Sequence, residues 1–208
     1  MIECRNDDGL WTITLNRPDK ANSLTAAMLS RLADVVMEAT VDPHIKALIL
    51  TGAGDKVFSA GADLDEARAG LATSPLWEQV SGAIAGLPCL TIAALNGTLA
   101  GGAFGMALAC DLRLAVPNAR FFYPVAKLGF LPQPSDPGRL VALMGPARAR
   151  LLLLGGQKFS ADEAYAFGLI DRITLPEHLM EQARDIATDV MAGNPEVLRR
   201  IKAMCDGA

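Results

Sequence analysis

The chain has 208 residues, of which 51% are hydrophobic, and carries a net charge of −4. That length suits one domain able to bury a core without disulfides or a structural metal. Acidic and basic residues are mixed, with no basic cluster to follow a phosphate backbone, and no apolar run reaches the ~18–20 residues of a membrane span, so neither nucleic acid nor a bilayer is an expected partner.

The start, Met1-Ile2-Glu3-Cys4-Arg5-Asn6, lacks a basic stretch followed by an apolar one, so no signal peptide is expected and the cytoplasm is the expected location. Cys4, Cys89, Cys110 and Cys205 form no C-x-x-C pair and read as small apolar residues in a reducing compartment. The two histidines, His44 and His178, stand apart, so neither a His-based triad nor a metal site is expected.

In chain order, Leu10–Leu15 reads as a strand, followed by the polar loop Asn16–Lys20. Leu24, Met28, Leu32, Val35, Val36 and Ala39 recur at helical spacing, with Asn22, Ser23 and Thr25 available as caps. Ala47–Leu50, Leu90–Leu95 and Leu112–Ala115 read as further strands. Helices are expected at Ala147–Leu154, stopped by Gly155-Gly156, at Ala161–Phe167, stopped by Gly168, along the apolar face of Leu179, Ala183, Ile186, Ala187 and Val190, and from Pro195 onward. Strands alternating with helices predict an α/β fold with a largely parallel core. With no linker or repeat in view, residues 1–208 are expected to form a single domain, with a core over about 1–140 and a helical region over about 141–208.

Two glycine-rich segments each follow a buried strand: Val57–Leu64, and Asn96–Gly105. Small residues there let a ligand approach the backbone. A helix from Gly102 to about Ala109 would leave the Gly102 N–H free, and a second free N–H from the Ala62 loop could aim at the same point. Two such donors would suit a thioester oxygen gaining negative charge, where losing one typically costs ~2.7–4 kcal/mol of transition-state stabilisation. On spacing alone the two loops read more readily as plain turns. Gly52-Ala53-Gly54 has Val57 where a dinucleotide fingerprint needs its third glycine, so a dehydrogenase is a poor fit.

Longer motifs agree with one another in order. Leu15-Asn16-Arg17-Pro18-Asp19-Lys20-Ala21-Asn22-Ser23-Leu24 resembles the opening motif of the enoyl-CoA hydratase/isomerase (crotonase) family. Phe58-Ser59-Ala60-Gly61-Ala62-Asp63-Leu64 resembles its first oxyanion loop, and Asn96-Gly97 through Gly101-Gly102 to Ala107–Asp111 resembles its second. Lys127-Leu128-Gly129, Gly145-Pro146-Ala147, Phe159-Ser160-Ala161 and Ala166–Asp171 continue the likeness over nearly the whole chain. The resemblance implies a spiral of β-β-α units, a homotrimer or a dimer of trimers, and an oxyanion hole made by the N–H groups of Ala62 and Gly102. It implies no permanently bound cofactor but coenzyme A as part of the substrate. Ala60, Ala62, Asp63 and Leu64 would lie along its nucleotide, with Lys20 and Ala21 nearby.

The chain also departs from the family. The positions matching the two glutamates of a hydratase are Gly105 and Val125, neither of which can move a proton. Asp136, in the proline-rich stretch Leu131–Pro137, is the first candidate for a replacement base, although beside Pro137 it also reads as a turn residue. Tyr123 is a second candidate, as donor or weak acid, and also reads as a core aromatic. Ser135 and Gln133 could orient a substrate or water. Asp63 and Asp111 read as braces, and Asp65 and Glu66 as a solvated helix start; Asp65 stands where hydratases often carry a lysine. Because relatives generally continue with more helix, a more open pocket is expected. The reading is an acyl-CoA enzyme with an oxyanion hole and atypical acid/base groups; the alternative is a non-catalytic acyl-CoA-binding or regulatory protein.

Overall fold

The computed structural model describes residues 1–205. Strands β1 (Ile2–Asp7) and β2 (Leu10–Leu15) form an antiparallel hairpin, and helix α1 (Ala26–Val41) follows. Three turns of chain then repeat one plan. Each places a longer strand in a first sheet and a three-residue strand in a second, then adds helix. The first turn is β3 (Ala47–Gly52), β4 (Val57–Ser59), α2 (Leu64–Arg68) and α3 (Leu76–Ala85). The second is β5 (Leu90–Leu95), β6 (Thr98–Ala100) and α4 (Phe104–Leu108), and the third β7 (Leu112–Ala115), β8 (Arg120–Phe122) and α5 (Val125–Leu128). Helix α6 (Asp136–Leu153), β9 (Phe159–Ser160), α7 (Ala161–Phe167), β10 (Arg172–Ile173), α8 (Leu179–Ala192) and α9 (Pro195–Cys205) complete it.

The six-stranded sheet has the order β1-β2-β3-β5-β7-β10, parallel from β2 onward, and the four-stranded sheet has the order β4-β6-β8-β9. Pairing β3–β5–β7 in one sheet and β4–β6–β8 in the other stacks successive turns, which is the spiral that the motifs implied. Every residue of β3 is buried, as expected for a central parallel strand covered on both faces. The apolar stripe of α1, from Met28 to Ala39, packs inward, and Thr25 caps it by accepting from Met28 N–H. Among the described residues no helix is long and apolar enough to cross a membrane.

Some expectations need correcting. β1 is an unexpected strand: its inner residues, Glu3, Cys4, Arg5 and Asn6, are all exposed, so its sequence carries no buried face. Glu66 does not stand in solvent: its Oε2 accepts from Ala26 N–H at 2.6 Å and closes the start of α1. Asp136 is not in a loop but is the first residue of α6, with Pro137 in the first turn, where a missing N–H costs nothing. α6 is sharply kinked at Gly145 (φ 77°), and Pro146 restarts it, so the expected helix from Ala147 is its second half.

Candidate functional site

The site grows from the ends of β4 and β6. Asn22, at φ 50°, donates from Nδ2 to Val57 O at 2.8 Å and to Ala53 O at 2.9 Å, while its Oδ1 accepts from Arg17 N–H. Asn96 does similar work one turn later: Gly52 N–H donates to its Oδ1, and its Nδ2 donates to Gly54 O. These two amides hold the chain corners ahead of β4 and β6 by bonding backbone groups that no ladder reaches.

Past β4, Gly61 (φ 88°) turns the chain so that Leu24 N–H donates to Gly61 O, and Asp63 N–H to Leu24 O. The Ala62 N–H between them has no backbone acceptor among the described residues. Past β6, Gly101 (φ 57°) opens a 3-10 turn over Gly101–Ala103 that leads into α4. Gly102 is the second residue of that turn, ahead of the first N–H that an intrahelical carbonyl can satisfy. The two loops touch: a Cβ built on Gly61 would lie 3.3 Å from Gly102 N and 3.0 Å from Ala100 O. Two N–H groups without a backbone acceptor among the described residues therefore stand on adjoining loops.

Both loops line a cavity of about 170 Å³. Small side chains (Ala60, Ala62, Ala67, Ala72, Ala100) form one side, and Trp77, Phe122, Tyr123, Phe130 and Leu131 form much of the rest. Among the described residues no charged side chain is on its wall.

Behind that wall lies a buried carboxyl. Asp136 is 0% exposed, and Tyr123, which does line the cavity, donates its hydroxyl to Asp136 Oδ2 at 2.9 Å. Gln133 N–H approaches the same hydroxyl at 3.4 Å, and the Tyr123 ring stacks on Phe104 with centroids 5.2 Å apart. Asp136 Oδ1 has no hydrogen-bond partner, and neither has Nη1 of Arg139, one turn along α6. Burial pushes the Asp136 carboxyl up to about 7, against the opposing pull of the Tyr123 hydrogen bond and the Arg139 charge. The Tyr123 hydroxyl is raised too, by burial first and the Asp136 charge second. A Cβ on Gly105 would come within 3.1 Å of Asp136 Oδ1, so the carboxyl occupies the space above Gly105 and would have to shift by a few tenths of an ångström to admit a side chain there. Ser135, just before Asp136, bonds Glu78 of α3 through both its N–H (3.2 Å) and its hydroxyl. That pair pins the start of α6 against α3.

The structure thus brings Ala60, Ala62, Leu64, Gly102 and Tyr123 to one cavity, with Asp136 one side chain behind it. Asp63 is occupied as a brace: it caps α2 and pairs with Arg17 at 2.8 Å, which holds its carboxyl below the usual range. Lys20 and Ala21 do not line the cavity, although Ala21 O accepts from Ala60 N–H at 3.0 Å and so steadies its edge. Asp111 is also a brace, accepting from Thr91 N–H and Lys202. Trp77 and Glu78 were missed. Trp77 is indistinguishable from a core residue and Glu78 from a surface one until the fold sets α3 beside Gly102.

The family model for enoyl-CoA hydratase/isomerase matches residues 5–207. The chain is 34% identical over 207 residues to the crotonyl-CoA hydratase of Syntrophomonas wolfei, spanning 97% of this chain and 80% of that protein. It is 36% identical over 196 residues to the carnitinyl-CoA dehydratase of Salmonella arizonae, spanning 91% and 74%. The crystal structure of an enoyl-CoA hydratase from Bacillus anthracis superposes with a TM-score of 0.92 at 32% identity, covering 99% of this chain and 82% of that one. Fold, motifs and likeness agree: the chain belongs to the enoyl-CoA hydratase/isomerase family.

Proposed function

We propose that this protein moves a proton at the carbon next to a CoA thioester, with the N–H groups of Ala62 and Gly102 holding the thioester oxygen as it gains charge. The observation that carries this reading is the pairing of two unsatisfied N–H groups on touching loops with an ionisable carboxyl just behind the same cavity wall. Asp136 is the proton acceptor, and Tyr123 bridges it to the cavity. As a proton leaves the substrate's α-carbon for the Tyr123 oxygen, the Tyr123 hydroxyl proton passes to Asp136 Oδ2. The electron pair left behind spreads onto the thioester oxygen between the two N–H groups. The adenosine end of coenzyme A would lie along Ala60 and Leu64, near the Lys20–Ala21 loop.

One carboxyl suits a shift of a carbon–carbon double bond, in which a single group takes a proton from one carbon and returns it to another. Hydration also requires a group that activates water. The family's two glutamate positions hold Gly105 and Val125 here, and Asp136 fills the space above the first. The names of the relatives favour hydration or dehydration as a second reading. The two are separated by giving the purified protein 3-hexenoyl-CoA and crotonyl-CoA in turn. The conjugated-thioester absorbance should rise quickly with the first and fall slowly, or not at all, with the second. Crotonyl-CoA hydration as fast as the isomerisation would overturn the single-carboxyl reading. Binding of both with no reaction would support a non-catalytic acyl-CoA-binding protein instead.

A further inference from the structure

We propose that the site selects short, uncharged acyl groups of about six carbons or fewer, and that the indole of Trp77 sets the limit. This inference rests on the thioester reading above. The cavity measures about 170 Å³. An apolar cavity of about 150 Å³ holds one benzene, a six-carbon group; because Ala60 and Leu64 of the same lining would lie along coenzyme A, six carbons is an upper bound for the acyl group. Trp77 stands directly against the oxyanion loop: a Cβ on Gly102 would lie 3.1 Å from its ring carbons. An acyl chain whose thioester oxygen sits at Gly102 N–H therefore meets the indole within a few bonds.

The indole has little freedom to retreat. It is 3% exposed, and its Nε1 donates to Leu71 O at 2.8 Å, so swinging it away would leave a buried donor and acceptor unpaired. Tyr123 is held as firmly, by Phe104 and Asp136. The absence of any charged side chain on the wall works against an acyl group ending in a carboxylate, which would be buried without a partner. An apolar groove along α6, lined by Val141, Leu153 and Leu154, lies beyond Val125, Phe130 and Leu131, which it shares with the cavity. These three side chains separate the two spaces, so a longer chain would reach the groove only by displacing them.

The test is binding of saturated thioesters, which need no turnover, to the purified full chain: free coenzyme A, then butyryl-, hexanoyl- and decanoyl-CoA. Each methylene that finds apolar cover strengthens binding roughly fourfold. Affinity should rise from butyryl to hexanoyl and then stop, with decanoyl-CoA binding no tighter than hexanoyl-CoA. In Trp77→Leu the rise should resume, decanoyl-CoA gaining tenfold or more over hexanoyl-CoA. Trp77→Phe, a milder change that guards against unfolding, should shift the ratio the same way by less. The limit is overturned if decanoyl-CoA binds the unaltered protein tenfold tighter than hexanoyl-CoA, or if neither folded variant changes the ratio. If no thioester binds the folded protein, the thioester reading itself falls, an outcome distinct from short and long chains binding alike.

Discussion

Replacing Asp136 with Asn should lower turnover by roughly 10²- to 10⁴-fold, the range ordinarily supplied by one positioned acid/base group. The same substitution should make the protein more stable at pH 8. In the folded chain the carboxyl titrates at about 7, while in the unfolded chain it returns to its ordinary value of 3.8. The folded state therefore keeps its proton across a range where the unfolded state has lost it. The carboxyl's favourable share of stability is complete below pH ~4 and is lost as pH rises through about 7. A gap of about three units corresponds to about 4 kcal/mol, which an uncharged Asn would largely restore above pH 7. A purely structural Asp136 would give the opposite result: Asn would leave turnover unchanged, or lose stability and activity together. Thermal melts at pH 5 and pH 8, set beside kcat/KM, separate the cases. In the unaltered protein, kcat/KM should fall about tenfold per pH unit below about 7, because proton abstraction needs the carboxylate. Tyr123→Phe should lose turnover nearly as far as Asp136→Asn while leaving the carboxyl in place, because it removes the bridge to the cavity.

A large loss of stability should come from Gly97→Ala. A Cβ there would lie 2.2 Å from the carbonyl carbon and oxygen of Lys56 and 2.5 Å from Val57 N. All three are backbone atoms of the approach to β4, so no side chain can rotate away, and the β4–β6 pair must separate. The cost should be about 3 kcal/mol or more, seen as a melting temperature lower by roughly 6–12 °C. Activity should fall further than stability explains. β4 and β6 carry Ala62 and Gly102, and misplacing a catalytic group by about 1 Å can cost about 10²-fold. Gly9→Ala is the control. Its Cβ would strike His44 O at 2.3 Å, equally severe but far from the cavity, so it should lower the melting temperature without changing kcat in the protein that remains folded. Equal kcat for the two variants would show that the Asn96–Gly97 corner does not position the Ala62 and Gly102 loops.

How far the sequence could be read depended on what each element buries. β3 and β5 were legible because both of their faces enter the core, which leaves runs of Ile, Leu and Ala with little interruption. The stop at Gly168 was legible because a left-handed cap needs glycine. β4 and β6 read as parts of glycine-rich segments and β8 carries no signal, because three residues show no periodicity and only their pairing with one another makes them strands. The start of α6 was hidden by prolines that signal a loop, although a proline in a first turn is compatible with helix. Ala62 and Gly102 could be proposed because the motifs around them resemble the family's oxyanion loops; the glycine spacing alone reads as well as plain turns. The contact of Asp136 with Gly105 could not be, since it joins residues 31 apart through packing alone. The absence of a side chain at 105 was visible in the sequence; that a carboxyl from another helix fills the space was not.

The most direct test of the central claim is exchange of the α-protons of butyryl-CoA in D₂O, followed by mass spectrometry, for the unaltered protein and for Asp136→Asn. The substrate has no double bond to hydrate or shift, so the signal reports proton removal beside the thioester and nothing else. The account predicts deuterium incorporation well above the uncatalysed rate in the unaltered protein, and its loss in Asp136→Asn. Exchange that is absent from a protein shown to bind butyryl-CoA, or that is equally fast with Asn at 136, would contradict it.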